Sequence, residues 1–218
     1  MKHIWGIIFF LGSMQTAWSQ NLQHGSGGWY TYVGNYRLED DWSLHVDSQI
    51  RLKNLTGAMQ QWKNRIAVNR QVRANRTASI GYALAILGGT ERRYEHRLYQ
   101  QWIRRAPLGK ADAAHRLRLE QRWIDRDFQL RTRYSVRATR KLNTKGDWYA
   151  AMGNEYLFRL SEGKTDQNRA NFGIGHKVAP KLSLEATYIN QWIPGKTQNQ
   201  MNHVVQLSVL THLTLDWD

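Results

Sequence analysis

The sequence contains no cysteine and only three prolines in 218 residues. The lack of cysteine excludes a disulfide framework and any metal site built on thiolates. Pro107, Pro180 and Pro194 all fall in turn-like segments, where an all-strand chain tolerates proline. Beyond residue 20, no apolar run approaches the ~18 residues that predict a membrane-spanning helix. These absences favour a chain built from β-strands.

Acidic residues are also scarce, with 17 against 31 basic residues and a formal net charge of +14. Thirteen of the arginines fall between Arg92 and Arg140. Such a balance indicates one of three partners: nucleic acid, an acidic membrane surface, or anions in a basic interior.

The amino terminus has the layout of a secretory leader. Met1-Lys2-His3 is basic, the run from Ile4 to Leu11 is apolar, and Ala17 and Ser19 stand three and one residues before Gln20. This layout predicts a signal peptide over residues 1–19, cleaved before a single domain over residues 20–218. Export makes nucleic acid the least favoured partner, and we expect none.

Apolar and polar residues alternate along most of the chain, as in the segments 115–123 and 130–138. A period of two predicts extended strands with one polar and one apolar face. Most strands run 10–14 residues, whereas soluble sheets average ~5–6 and a tilted strand needs ~9–11 to cross a bilayer. The predicted segments are 29–38, 42–53, 61–73, 77–87, 91–104, 115–124, 129–140, 148–159, 167–178, 181–193 and 202–217.

The charged faces of these strands can point to water in a soluble protein, or into the interior of a membrane barrel. An arginine facing lipid costs ~2–4 kcal/mol at the bilayer midplane, so a membrane barrel requires the arginines inside. Acidic residues share the arginine face and are expected to be counter-ions there. The predicted charge network of the lumen comprises Arg97, Arg116, Arg118, Glu120, Arg122, Arg131, Arg133, Arg137, Glu155, Arg169 and Glu185.

The segments 115–124 and 129–140 are expected to form a hairpin. With its turn centred on Arg126-Asp127, Glu120 would lie opposite Arg133, and arginines would flank this pair on both strands. The lumen is therefore predicted to be crowded and basic.

Tryptophans stand at or near the ends of the predicted strands. Tryptophan favours the boundary between membrane and water, and membrane barrels carry aromatic girdles at both interfaces. The predicted interface aromatics are Trp29, Trp42, Trp62, Trp102, Trp123, Trp148, Trp192 and Trp217.

We therefore predict an all-β fold, an antiparallel up-and-down transmembrane β-barrel. An even number of strands is usual in such barrels. The eleven segments above are odd in number, so we expect twelve strands, with ten as the next choice.

The sequence gives only weak signals for catalytic or metal-binding groups. Histidines lie on separate strands without ligand spacing, so we expect no metal and no cofactor. Ser43, His45 and Asp47 share one face of one strand, but neighbours at this spacing are ~7 Å apart at their backbones, which is poor for a catalytic relay. We expect no enzymatic activity and assign no catalytic residue.

Several motifs follow one another in a characteristic order: 95–101 (EHRLYQQ), 115–122 (HRLRLEQR), 131–134 (RTRY), 154–156 (NEY) and 166–169 (DQNR), followed by Tyr188-Ile189. In this order they resemble a bacterial family of about this length whose function is unknown. Its members are taken to be small outer-membrane β-barrels of Gram-negative bacteria. The resemblance implies that fold and location, and it implies no activity, ligand or catalytic residue.

Three functions remain in competition. The first is an outer-membrane barrel whose basic lumen is a structural network or a narrow passage that favours small anions. The second is an outer-membrane enzyme that modifies lipid or lipopolysaccharide. The third is a soluble secreted β-protein that binds acidic polymers. We favour the first, with outer-membrane lipid as the main partner; the sequence does not identify protein partners.

Overall fold

The computed structural model describes residues 22–89 and 91–214, and within them the chain forms eleven β-strands. The signal peptide predicted over residues 1–19 and Trp217 lie outside the described residues. The strands are β1 (Leu22–Arg37), β2 (Trp42–Lys53), β3 (Met59–Arg73), β4 (Arg76–Leu87), β5 (Arg93–Leu108), β6 (Ala111–Ile124), β7 (Asp127–Lys141), β8 (Trp148–Arg159), β9 (Lys164–Ala179), β10 (Leu182–Ile193) and β11 (Asn199–Thr214).

The strands form a closed barrel in which each strand pairs with its neighbours in sequence. Consecutive strands are antiparallel, and β1 pairs with β11 in parallel, from Leu22 opposite Asn199 to Arg37 opposite Thr214. The prediction of an all-β barrel is confirmed, whereas the predicted count of twelve is wrong. A parallel closing pair joins an odd number of strands, so the rule of even numbers does not apply. The glycine-rich start of β1 contributes to this pairing, with Gly25, Gly27 and Gly28 opposite residues of β11.

Short turns connect the strands at the two ends of the barrel. We name the ends after two-residue turns: the Lys110 end contains the turn Gly109-Lys110, and the Asp125 end contains the turn Asp125-Arg126. Each turn begins with a residue of left-handed backbone, at φ of 60° for Gly109 and 53° for Asp125, which tight hairpins favour. With eleven strands, β1 begins at the Asp125 end and β11 finishes at the Lys110 end.

The β6–β7 hairpin has a register two residues away from the predicted one. The turn is centred on Asp125-Arg126, so Glu120 lies opposite Arg131 and Arg118 lies opposite Arg133. The predicted register, with Glu120 directly opposite Arg133, is therefore wrong, although the two side chains form an ion pair. A shift of two residues keeps every side chain on its predicted face, since the faces alternate with a period of two.

The polar faces point into the barrel and the apolar faces point outward. Buried side chains of the described residues include charged groups on most strands, while large apolar side chains dominate the exposed set. The inner face of β4 carries only small residues in its central part: Ser79, Gly81, Ala83 and Ala85. A Cβ at Gly81 would collide with the ring of Tyr99, so this wall leaves room for the long side chains of β5.

Candidate functional site: the interior charge network

Glu120 is the centre of the interior charge network. It has no solvent-exposed surface and lies on the inner face of β6. Its carboxylate accepts hydrogen bonds from Arg97 (3.2 Å), Arg131 (2.8 Å) and Arg133 (3.0 Å), which come from β5 and β7. Arg118 Nη1 lies 3.6 Å away. Four guanidinium groups thus share one buried carboxylate.

Glu95 forms the part of the network nearest the Asp125 end. Arg97 Nη2 lies 2.5 Å from its Oε1, and Arg122 Nε donates to the same oxygen at 2.7 Å. Arg122 also donates to Gln129 on β7. Because Arg97 contacts both Glu95 and Glu120, the two carboxylates belong to one network.

Glu155 on β8 pairs with Arg133 and with two further arginines. Arg133 donates to it at 2.6 Å, Arg116 at 2.9 Å and Arg169 at 3.2 Å. Arg133 also contacts Glu120, so it bridges the carboxylates of β6 and β8.

Asp166 extends the network, and Glu185 forms a separate ion pair on the same inner face. Asp166 accepts from Arg131 at 2.6 Å and from Arg159 at 2.7 Å, toward the Asp125 end. Glu185 accepts from Arg137 at 2.6 Å and from Tyr149 at 3.1 Å, toward the Lys110 end.

The eleven residues predicted to form this network all lie on the inner face. Arg116 and Arg137 are half-buried and the other nine are buried. Each takes part in an ion pair.

A second charged cluster lies on β2 and β3; its residues are not among the predicted network residues, although alternation in the sequence places Asp47 on the same face as the arginines. Asp47 is buried and pairs with Arg65, and His45 lies 3.3 Å from Asp47. Lys63 is buried on the same side of β3, and Arg51 lies on the inner face of β2. The period of two in these segments already placed the residues on the polar face, and that signal could have found them.

The tryptophans divide between the two faces. Trp42, Trp62, Trp102, Trp123 and Trp148 are exposed on the outer face, and Trp192 is half-buried.

Trp29 was predicted at the membrane interface, but it is buried inside the barrel. The guanidinium carbon of Arg51 lies 3.8 Å from its ring centroid, and that of Arg169 lies 5.3 Å away. Ile189 and Val204 pack with it as a small apolar cluster. Trp29 lies in the middle of β1, which begins at Leu22, and its side chain is on the same inward side as that of Thr31. The predicted segment began at residue 29, so the position of Trp29 at that end was a misleading signal.

Ser43, His45 and Asp47 do not form a catalytic relay. The Ser43 hydroxyl accepts a hydrogen bond from Asn69 at 3.3 Å, and Asp47 is held by Arg65. Between the described side chains of Ser43 and His45 there is no hydrogen bond. Within residues 22–89 and 91–214, no group of three or more potential ligands could hold a metal ion. The same residues include no helix long and apolar enough to cross a membrane.

Cavities occupy the middle of the barrel and its Lys110 end. The central cavity, of about 400 Å³, is lined by Trp29, Gln49, Arg51 and Lys63 on one side and by network arginines on the other. Two further cavities, of about 670 and 840 Å³, open at the Lys110 end.

Comparison with known proteins adds little about activity. No curated protein matches the chain. A solved structure described as "Bacterial polysaccharide outer membrane secretin" is similar at 13% sequence identity and a TM-score of 0.49. The match covers 77% of this chain and 63% of that one, so the chain spans less than two thirds of its length. A family model described as "Protein of unknown function (DUF2490)" matches residues 26–202. The protein therefore belongs to the DUF2490 family, whose function is unknown.

Proposed function

We propose that this protein is an integral outer-membrane β-barrel with an arginine-rich lumen, and that the ion pairs of the lumen are a structural network that also makes the interior favour anions. The observation that carries the proposal is the direction of the two faces. Charged side chains are buried inside the closed barrel, and large apolar side chains are exposed outside it.

The outer face supports insertion in lipid. Exposed apolar residues lie at the middle of strands on all sides of the barrel. They include Ile80, Leu117, Met152, Phe172 and Leu207. Soluble monomers rarely expose continuous apolar patches of more than a few hundred Å². A bilayer covers such a surface without a shape-matched partner.

Several polar side chains of the outer face are hydrogen-bonded to one another. Three tyrosine hydroxyls contact histidines on neighbouring strands, at 2.6 Å for Tyr82 with His96, 2.8 Å for Tyr134 with His115 and 2.7 Å for Tyr188 with His203. Pairing removes part of the cost of placing these polar groups in an apolar environment.

The arginines of the outer face lie toward the strand ends, and so do most of its exposed tryptophans. Arg70, Arg104 and Arg140 all lie near the Lys110 end, where the guanidinium of Arg70 is 5.4 Å from the Trp42 ring. We propose that this end meets lipid headgroups and that the exposed tryptophans form the interface aromatics.

We propose that ions do not flow continuously through the lumen. A water-filled pore would wet its wall, yet Tyr99, Glu120 and Leu157 are at most 1% exposed. These side chains lie on β5, β6 and β8, where the ion pairs fill the space between the walls. We therefore favour the structural network over the passage, and we propose no enzymatic activity.

We expect the purified protein to carry no sustained current in a planar lipid bilayer, because the buried ion pairs around Glu120 obstruct the interior beside the central cavity. Reversal potentials in a salt gradient would assign the selectivity of any current that appears. A sustained anion-selective current would contradict the closed lumen and support a passage for anions. A cation-selective current would contradict the proposed role of the arginines.

A further inference from the structure

Gln49, on the inner face of β2, lies between two cations. Its side-chain oxygen accepts a hydrogen bond from Arg51 Nε at 2.7 Å and another from Lys63 Nζ at 3.2 Å. The Gln49 amide nitrogen donates to Thr31 at 2.9 Å, which fixes the oxygen toward the cations. Gln49 and Lys63 are both more than nine-tenths buried.

This arrangement differs from the rest of the network, where a carboxylate stands between the cations. Neither Arg51 nor Lys63 lies within 4.0 Å of a carboxylate oxygen in the described part of the chain. Asp47, the acidic residue on the inner face of β2, is held by Arg65. A neutral amide oxygen therefore accepts hydrogen bonds from two cations, of which Lys63 is buried and Arg51 is half-buried. A buried charge without a counter-ion is costly.

The N–H donors of Arg51 and Lys63 that Gln49 does not engage border the central cavity. An ammonium has three donors, and Lys63 uses one of them on Gln49. Both cations line the central cavity of about 400 Å³, and Arg65, Arg133 and Arg169 line it as well. The carboxylates that line it, Glu155 and Glu185, are paired with arginines.

We propose that this cavity is a binding site for a small oxyanion of the phosphate type, held by the ammonium of Lys63 and the guanidinium of Arg51. The anion supplies the negative charge that Gln49 lacks. This proposal rests on the proposed membrane insertion only for the route by which the anion enters, from the Lys110 end. It does not require that ions cross the barrel.

The test is isothermal titration of the folded protein in non-ionic detergent micelles with inorganic phosphate, at constant ionic strength, with chloride and acetate as comparison anions. We expect saturable phosphate binding by the native protein and at least tenfold weaker binding by Gln49→Glu. The new carboxylate would neutralise both cations internally, so it should also raise the melting temperature without phosphate. Lys63→Met should weaken phosphate binding by a similar factor through loss of a cation.

The matched control is Gln101→Glu, which makes the same chemical change at another interior glutamine. Gln101 accepts from Arg118, which already lies near Glu120, so phosphate binding should stay within twofold of the native value. Absence of phosphate binding by the native protein would overturn the proposal, and so would Gln49→Glu binding phosphate like the native protein. Binding by acetate or chloride with equal strength would overturn the oxyanion class. Because the titration is done in micelles, its outcome is independent of the bilayer current measurement.

Discussion

Replacing Glu120 with glutamine is expected to lower the free energy of unfolding by about 3–5 kcal/mol, the cost of removing one partner from a buried ion pair. Glutamine keeps the shape of the side chain and removes the charge. Arg97, Arg131 and Arg133 would then face one another around a neutral group in a site with no solvent exposure. Denaturant unfolding of the folded barrel in detergent, followed by tryptophan fluorescence, measures the change.

Glu162→Gln is the control for this measurement. Glu162 lies in the turn between β8 and β9, where it pairs with Lys164 and with Arg159 at 2.9 Å. The hydrogen bond from Lys164, and to a smaller extent that from Arg159, lowers the pKa of this carboxyl. Exposed pairs contribute only ~0–1 kcal/mol, so this variant should unfold almost like the native protein. Equal losses for the two variants would contradict the structural role of the buried network.

Leu207→Arg is expected to destabilise the protein by about 2–4 kcal/mol in a bilayer, the cost of an arginine on the lipid face at the midplane. Leu207 is exposed on the outer face at the middle of β11. The measurement is the unfolding equilibrium in phospholipid vesicles.

Leu213→Arg on the same strand and the same face is the matched control. Leu213 lies one residue from the end of β11, so its arginine would reach the headgroup region and cost only ~0–1 kcal/mol. In a soluble barrel both arginines would be solvated. Equal and small effects at the two positions would therefore contradict insertion in the membrane.

The period of two in the sequence is sufficient to locate the strands and to separate their faces. Each of the eleven predicted segments overlaps one strand, because alternation is a local property that the pleat imposes on every strand. The same parity placed Glu120 and its arginines on a common face, since a shift of two residues at the hairpin leaves the faces unchanged.

Features that depend on contacts distant in sequence could not be predicted in this way. The parallel pairing of β1 with β11 joins the two ends of the chain, and no local pattern encodes it. The burial of Trp29 between Arg51 and Arg169 also depends on strands far apart in sequence. The position of Gln49 between two cations required the register of β2 with β3, where Gln49 lies opposite Lys63.

The most direct test of the account is fractionation of cells that express the protein, combined with a gel shift between unheated and boiled samples. We predict recovery in the outer-membrane fraction, release by detergent, and faster migration of the unheated barrel. Recovery of the folded protein in the soluble periplasm without detergent would contradict the account.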